Sequence, residues 1–380
     1  MNKALPAGIR ALVSHFSETR EEALATGVEL VEQPAPDFAS LSETEVLVEV
    51  ESACVAYVDL LMLTGQYHHR PPLPYTPGLE YAGVVRGVGS AVPPSVLKPG
   101  DLVMSDYMHT GPRSAGAHQA WGGWAQYAVA PHNALIRRPN NLSADAACNL
   151  LLNVETAYFA LVNRANLVQG ETVLVTGATG AAGLATIQVA KLLGARQVIA
   201  VGRGVERLQA AVKQGADDVI DLLTVGHENK TALRDAVKGL TGGRGVDVVI
   251  DGVGGEWLVD SLRTLSFGGR MVIVGWAANT GVAAGGGRGG SLQPDVLPTN
   301  LVQLKGLTVM GSPMVITGQR DPGARETRRA VIIDWMQKGK LTPVVSSAFP
   351  LTSLEQAMRA RLAGGIIGGC VVRPVDPIAI

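Results

Sequence analysis

Cysteine is scarce in this chain. Cys54, Cys148 and Cys370 are the only three in 380 residues, far apart and odd in number. No disulfide framework and no Cys-x-x-Cys metal knuckle can be assembled from them, so a reduced, cytoplasmic setting is the expectation. Charge is scarce as well. Charged residues make up 17% of the chain and the net charge is −1, which leaves no basic surplus to attract nucleic acid or an anionic membrane. Between Met1 and Phe16 there is no apolar run long enough for a secretory signal. The one uncharged stretch that approaches membrane-spanning length, Thr172 to Ala190, is broken by three glycines and reads as a strand followed by a helix.

What is plentiful is apolar residues, at 47%, and glycine, at 46 residues. A chain of this length that buries so much apolar surface is expected to form two domains. The first part reads as β-rich, with an alternating strand at Glu45–Val50 and short apolar runs at Gly83–Val88 and Asp101–Ser105. A Pro-rich loop (Arg70 to Pro77) and a Gly-rich excursion (Tyr107 to Trp124) interrupt it. Ser143 to Val162 reads as a helix with Ser143 as its N-cap.

From Thr172 six short apolar strands appear: Val173–Thr176, Val198–Val201, Val219–Asp221, Val248–Asp251, Met271–Val274 and Leu307–Met310. Helical stretches Ala181–Leu193, Val205–Gln214, Lys230–Leu240 and Glu256–Leu265 lie between them. Apolar strands alternating with helices predict a parallel sheet covered on both faces, in a doubly wound α/β domain. Gly281 to Gly290 reads as a mobile low-complexity loop. The tail, from about Arg325, adds a helix, a strand (Pro343–Ser346), a helix (Ser353–Leu362) and a strand (Gly369–Val372).

After the first of the six strands comes Gly177-Ala178-Thr179-Gly180-Ala181-Ala182-Gly183, opening a helix. Small residues there let the chain turn tightly and let backbone N–H groups approach a pyrophosphate at the positive end of the helix dipole. The second strand is followed by Gly202, where NAD-selective sites carry an acid for the ribose 2′-hydroxyl. Arg203 and Arg207 come next, two guanidiniums suited to a 2′-phosphate. NADP(H) is therefore the expected cofactor.

Several motifs in order resemble a known family. They are Val58-Asp59-Leu60-Leu61 with Thr64-Gly65-Gln66-Tyr67, Pro77-Gly78-Leu79-Glu80-Tyr81-Ala82-Gly83, Lys98-Pro99-Gly100-Asp101, the glycine fingerprint, Gly242-Gly243-Arg244-Gly245-Val246-Asp247, and Gly268-Gly269-Arg270. Together they are similar to the medium-chain dehydrogenase/reductases, in the zinc-independent NADPH:quinone oxidoreductase group. The resemblance implies a GroES-like, β-rich catalytic domain plus a doubly wound Rossmann domain. The implied boundaries are 1–150 for the catalytic domain, 151–314 for the NADP-binding domain, and 315–380 completing the first. It also bears on metal. Zinc-dependent relatives have a histidine where Leu79 stands and a cysteine near Ala56, so no metal is expected, and Glu80 reads as a structural carboxylate.

Without a Lewis acid, saturated alcohols are hard substrates, whereas quinones and α,β-unsaturated carbonyls delocalise the charge that follows hydride addition. The resemblance places Tyr67 beside the cleft as a donor or lid, with Tyr57 near the same wall. It puts Thr156 on a cleft-lining helix, Gly275 and Trp276 over the nicotinamide, and Gly252 and Val253 at the strand edge where ligands sit. Trp121 and Trp124 are expected to line the substrate side. Where the family carries an asparagine this chain has Ala56. Two alternatives stay open: a metal-independent NADP-dependent alcohol, ketone or sugar dehydrogenase, and an NADPH-binding protein with little catalysis, structural or RNA-associated. A homodimer formed through Leu307–Met310 is also implied.

Overall fold

In the computed structural model, residues 5–65, 67–225, 232–279 and 295–374 are described. The chain forms two compact units, Met1–Leu152 with Pro343–Ile380, and Asn153–Thr342.

The first unit opens with β1 (Gly8–Leu12) and β2 (Glu29–Gln33), an antiparallel pair. Its main sheet takes β3 (Glu45–Cys54), β4 (Tyr81–Val88), β5 (Leu102–Ser105), β6 (Tyr127–Pro131) and β7 (Leu135–Arg137). The alternation expected over Glu45–Val50 fails at Leu47, which is buried on the opposite face with Tyr127 and Val129. Val46, Val48 and Val50 are fully buried against Tyr81, Val85 and Val103. Gly83 is required where β3 and β4 meet, because a Cβ there would lie 2.0 Å from the Glu49 carbonyl oxygen.

The second unit is built on β8 (Thr172–Thr176), β9 (Gln197–Gly202), β10 (Asp218–Asp221), β11 (Val246–Asp251), β12 (Leu265–Ile273) and β13 (Thr308–Gly311). All six run parallel in the order β10-β9-β8-β11-β12-β13. The order reverses between β8 and β11, which is where doubly wound sheets bind ligands, outside the carboxyl ends of the strands. Each residue of β8 is buried, as a strand covered on both faces requires. The helices Ala181–Leu192, Val205–Lys213, Ala232–Leu240 and Glu256–Thr264 lie where the apolar periodicity placed them. The start expected at Lys230, and the loop Gly281 to Gly290, lie outside the described residues.

The chain then returns to the first unit through β14 (Val345–Pro350) and β15 (Gly369–Arg373). These pair in parallel, and β15 runs antiparallel to β3. The completed sheet reads β14-β15-β3-β4-β5-β7, with β6 also on β3.

Two particulars differ from expectation. The return to the first unit comes at Pro343, not at 315. The helices Met314–Arg320 and Pro322–Gln337 stay with the second unit because Arg325 and Arg328 are buried on the Glu155 carboxylate, at 2.9–3.1 Å. The helix expected over Ser143 to Val162 is divided into Ala144–Ala147, Leu151–Tyr158 and a π-helical stretch Phe159–Arg164. Ser143 does cap it, its hydroxyl accepting from the Ala146 N–H. The break falls at Asn149, whose amide donates to the Asp145 carbonyl and accepts from the Cys54 thiol, a side-chain competition with the helical ladder. No described helix is long and apolar enough to cross a membrane.

Candidate functional site

In the second unit the turn after β8 is shaped by its small residues. Gly177 has φ +63°, and a Cβ on it would press on Val253 at 3.2 Å. A Cβ on Gly183 would lie 2.3 Å from the Gly177 carbonyl oxygen, so the helix can approach the strand end only with glycine there. Gly180 is the N-cap of the helix and brings no side-chain cap. The first-turn N–H groups of Ala181, Ala182 and Gly183 therefore have no intrahelical acceptor, and the positive end of the dipole is left for an anion. Thr179 and Ala178 complete the turn, Ala178 donating to the Val201 carbonyl of β9.

At the end of β9, Gly202 is buried, and a Cβ there would meet Leu208 at 3.1 Å and Thr179 at 3.2 Å. An acidic side chain therefore has little room. Gly204 follows with φ +86°, its N–H donating to the Asp221 carboxylate. Arg203 is exposed and Arg207 half-buried. Burial, and then the neighbouring Arg203 charge, lower the pKa of Arg207. Two cations held close enough to disfavour one another are stabilised by a shared anion.

The loop after β11 is locked by groups that sequence reasoning missed. Thr176 donates to the buried Asp251 carboxylate at 2.5 Å. Asp251 also accepts from the Gly254 N–H, and the Gly252 N–H donates to the Thr176 hydroxyl. Burial raises the Asp251 pKa and these hydrogen bonds oppose it. Ala277 and Ala278 donate to the carbonyls of Gly252 and Val253, so the loop carrying Gly275 and the partly exposed Trp276 is fastened to the loop carrying Gly252 and Val253. The structure thus brings these four together with the β8 turn, through the Gly177–Val253 approach. Thr156 lies half-buried beside Glu155, in the helix pinned by Arg325 and Arg328.

In the first unit, Tyr57 begins the helix Tyr57–Leu63 and is half-buried. Asp59 caps that helix by accepting from the Ala56 N–H at 2.9 Å, and it also accepts from the Leu79 N–H at 3.1 Å. Burial pushes its carboxyl up to about 6 against the opposing pull of those N–H groups and of Arg113. Glu80 is buried and accepts from the Leu152 N–H at 2.7 Å. Its pKa too is raised by burial, with Arg113 among the influences opposing the rise.

Tyr67 is half-buried, and its hydroxyl accepts from Arg113 Nη2 at 2.7 Å. The His68 ring packs against the Tyr67 ring at a tilt of 43°, with centroids 4.0 Å apart. Arg113 was not foreseen. It sits in the Gly-rich excursion, without periodicity or motif to mark it. Both tryptophans of that excursion pack into the first unit. Trp124 is fully buried, its indole donating to the Cys54 carbonyl, and Trp121 packs on Leu47, Tyr127 and Val129. Among the described residues no group of three or more His, Cys, Asp or Glu is arranged to hold a metal ion.

Comparison with known proteins matches residues 42–140 to the alcohol dehydrogenase GroES-like domain and residues 181–326 to the family described as zinc-binding dehydrogenase. Over 314 residues the chain is 33% identical to quinone oxidoreductase-like protein 2 of Rattus norvegicus, covering 82% of this chain and 80% of that one. It is 30% identical over 347 residues to the homologue from Nematostella vectensis, covering 91% and 86%. A mycobacterial protein solved in complex with NADPH superposes with a TM-score of 0.75 at 26% identity, covering 97% of this chain and all of that one.

Proposed function

The chain belongs to the quinone oxidoreductase-like group of the medium-chain dehydrogenase/reductases, and on that premise we propose that it is an NADPH-dependent reductase of quinones or α,β-unsaturated carbonyls that works without metal. The observation that carries the reading is the pairing of an uncapped helix start at Gly180 with two adjacent guanidiniums after β9. This set fits NADP(H). Ala181, Ala182 and Gly183 would take the pyrophosphate on their N–H groups, and Arg203 and Arg207 the 2′-phosphate. Gly252, Val253, Gly275 and Trp276 would flank the nicotinamide half. When bound, the cofactor supplies hydride to an electrophilic carbon of the acceptor.

The chain's own part is to orient the acceptor, exclude water and meet the charge that develops on its oxygen. An enone or quinone spreads that charge over conjugated atoms, so one well-placed donor suffices where an alkoxide needs a Lewis acid. Tyr67 is that donor in this reading, Tyr57 shapes the acceptor's surroundings, and Thr156 is assigned to the cofactor. The same premise assigns a homodimer formed through the sheet-edge strand β13, to be checked by light scattering.

The test is NADPH oxidation over a panel of quinones, 2-alkenals, enones and saturated ketones, with and without a chelator. Turnover confined to quinones or enones and indifferent to chelation supports the proposal. Oxidation of saturated alcohols with NADP⁺, chelator-sensitive turnover, or NADPH binding with no turnover on any acceptor each overturns it.

A further inference from the structure

Arg113 is 5% exposed, and its Nε and Nη1 have no hydrogen-bond partner. Among the described residues it forms no ion pair either. A buried guanidinium is costly unless hydrogen-bonded or paired. Here its one donated bond goes to the Tyr67 hydroxyl. The cation is also flanked by two rings, those of Tyr67 and Tyr107, each with its centroid 5.4 Å from the guanidinium carbon. The turn that carries it is fixed to the Tyr67 loop by a 2.7 Å hydrogen bond between His69 Nε2 and the Pro112 carbonyl. Asp59 and Glu80 are near enough to feel its charge, which opposes the upward push of burial on both carboxyls, but neither forms an ion pair with it.

Guanidinium nitrogens only donate. The Tyr67 oxygen must therefore be the acceptor, and its own proton is directed elsewhere. Resting on the reading of the chain as a quinone or enone reductase, we propose that Arg113 is the positioning residue for Tyr67 as proton donor. It holds the hydroxyl with its hydrogen free and supplies the positive charge that accommodates the oxygen after the proton leaves. As the acceptor's carbon gains hydride, its π pair moves to the carbonyl oxygen. The Tyr67 O–H bond breaks, the proton goes to that oxygen, and the electron pair left on Tyr67 faces Arg113 until solvent returns a proton. Arg113 thereby supplies the positive charge that a metal ion supplies elsewhere, acting one atom removed through the tyrosine.

The test is a double-substitution cycle on the full chain with Arg113→Met, Tyr67→Phe and both. kcat and KM are measured on the best acceptor from the panel, with NADPH binding followed by nucleotide fluorescence. Arg113→Met is expected to lower kcat by roughly 10- to 100-fold, to leave NADPH binding unchanged, and to be partly rescued in Arg113→Lys. In the Tyr67→Phe background the same change should alter kcat by less than about threefold, because the partner through which Arg113 acts is gone. Equal losses in both backgrounds, or a kcat for Arg113→Met within about threefold of the parent, overturn the proposal. If Arg113→Met does not fold, the cycle is run with Arg113→Gln under the same two criteria. A parent chain that reduces no quinone or enone fails the functional reading itself, an outcome distinct from an active parent with an additive cycle.

Discussion

Arg207 donates to the Thr179 hydroxyl across 3.4 Å, tying the helix after β9 to the turn after β8. The two loops that would hold opposite ends of a dinucleotide's phosphate chemistry are thereby set against each other before any ligand arrives. Removing either cation should cost a charge-assisted contact worth about 1.5–3 kcal/mol. Arg203→Ala and Arg207→Ala are accordingly expected to raise the KM for NADPH by about 10- to 100-fold, the exposed Arg203 at the lower end. The KM for NADH should stay nearly constant. Equal rises with both nucleotides would remove the 2′-phosphate assignment.

An acid at Gly202 is the obvious attempt at an NADH-selective variant, and the packing argues against its success. The new Cβ would press on Leu208 and Thr179 at 3.1 and 3.2 Å, which costs about 1–3 kcal/mol in a filled core. Gly202→Asp should lower the melting temperature and bring no gain in kcat/KM with NADH. A well-folded, NADH-preferring variant would refute this account of why glycine stands there.

Glu155 is fully buried with Arg325 and Arg328 on its carboxylate. Glu155→Gln leaves two buried guanidiniums facing a neutral amide, a loss on the order of 3–5 kcal/mol. The denaturant midpoint should fall accordingly. A change below about 1 kcal/mol would show that water or another group takes over the pairing.

Asp59 makes stability pH-dependent. Burial pushes its carboxyl up to about 6 from the ordinary 3.8, so the folded chain holds this proton more tightly than the unfolded one. The stabilisation is complete below the unfolded value and is lost as pH rises through 6, about 3 kcal/mol at most. Asp59→Asn should flatten the stability profile between pH 4 and 7, as read from urea unfolding at each pH. A residual slope of the same sign is expected from Glu80, whose carboxyl burial also raises. A mutant profile as steep as the parent's would show that Asp59 is ionised throughout.

The second unit was legible because strands buried on both faces appear as uninterrupted apolar runs. The glycines of its first turn are also demanded by backbone contacts local in sequence, as at Gly183 against Gly177. What stayed hidden depends on partners distant in the chain. Arg325 and Arg328 keep their helix in the second unit through Glu155, and nothing near residue 325 announces that acid. The Thr176–Asp251 latch joins two strands that become neighbours only once the sheet is assembled. Asn149 interrupts a well-patterned helix because it engages Cys54 from another element. Arg113 stands alone in an aperiodic Gly-rich stretch, and only its burial beside Tyr67 marks it.

The pairing of β15 with β3 has a consequence for how the protein is made. During vectorial synthesis every strand of the inserted parallel sheet leaves the ribosome before Gly369 does. The amino-terminal sheet must wait, with the end of β3 and its backbone groups open to unwanted partners, until the final strands arrive. A released chain truncated just before β14 should therefore resist protease across strands β8 to β13 while its first 150 residues are digested.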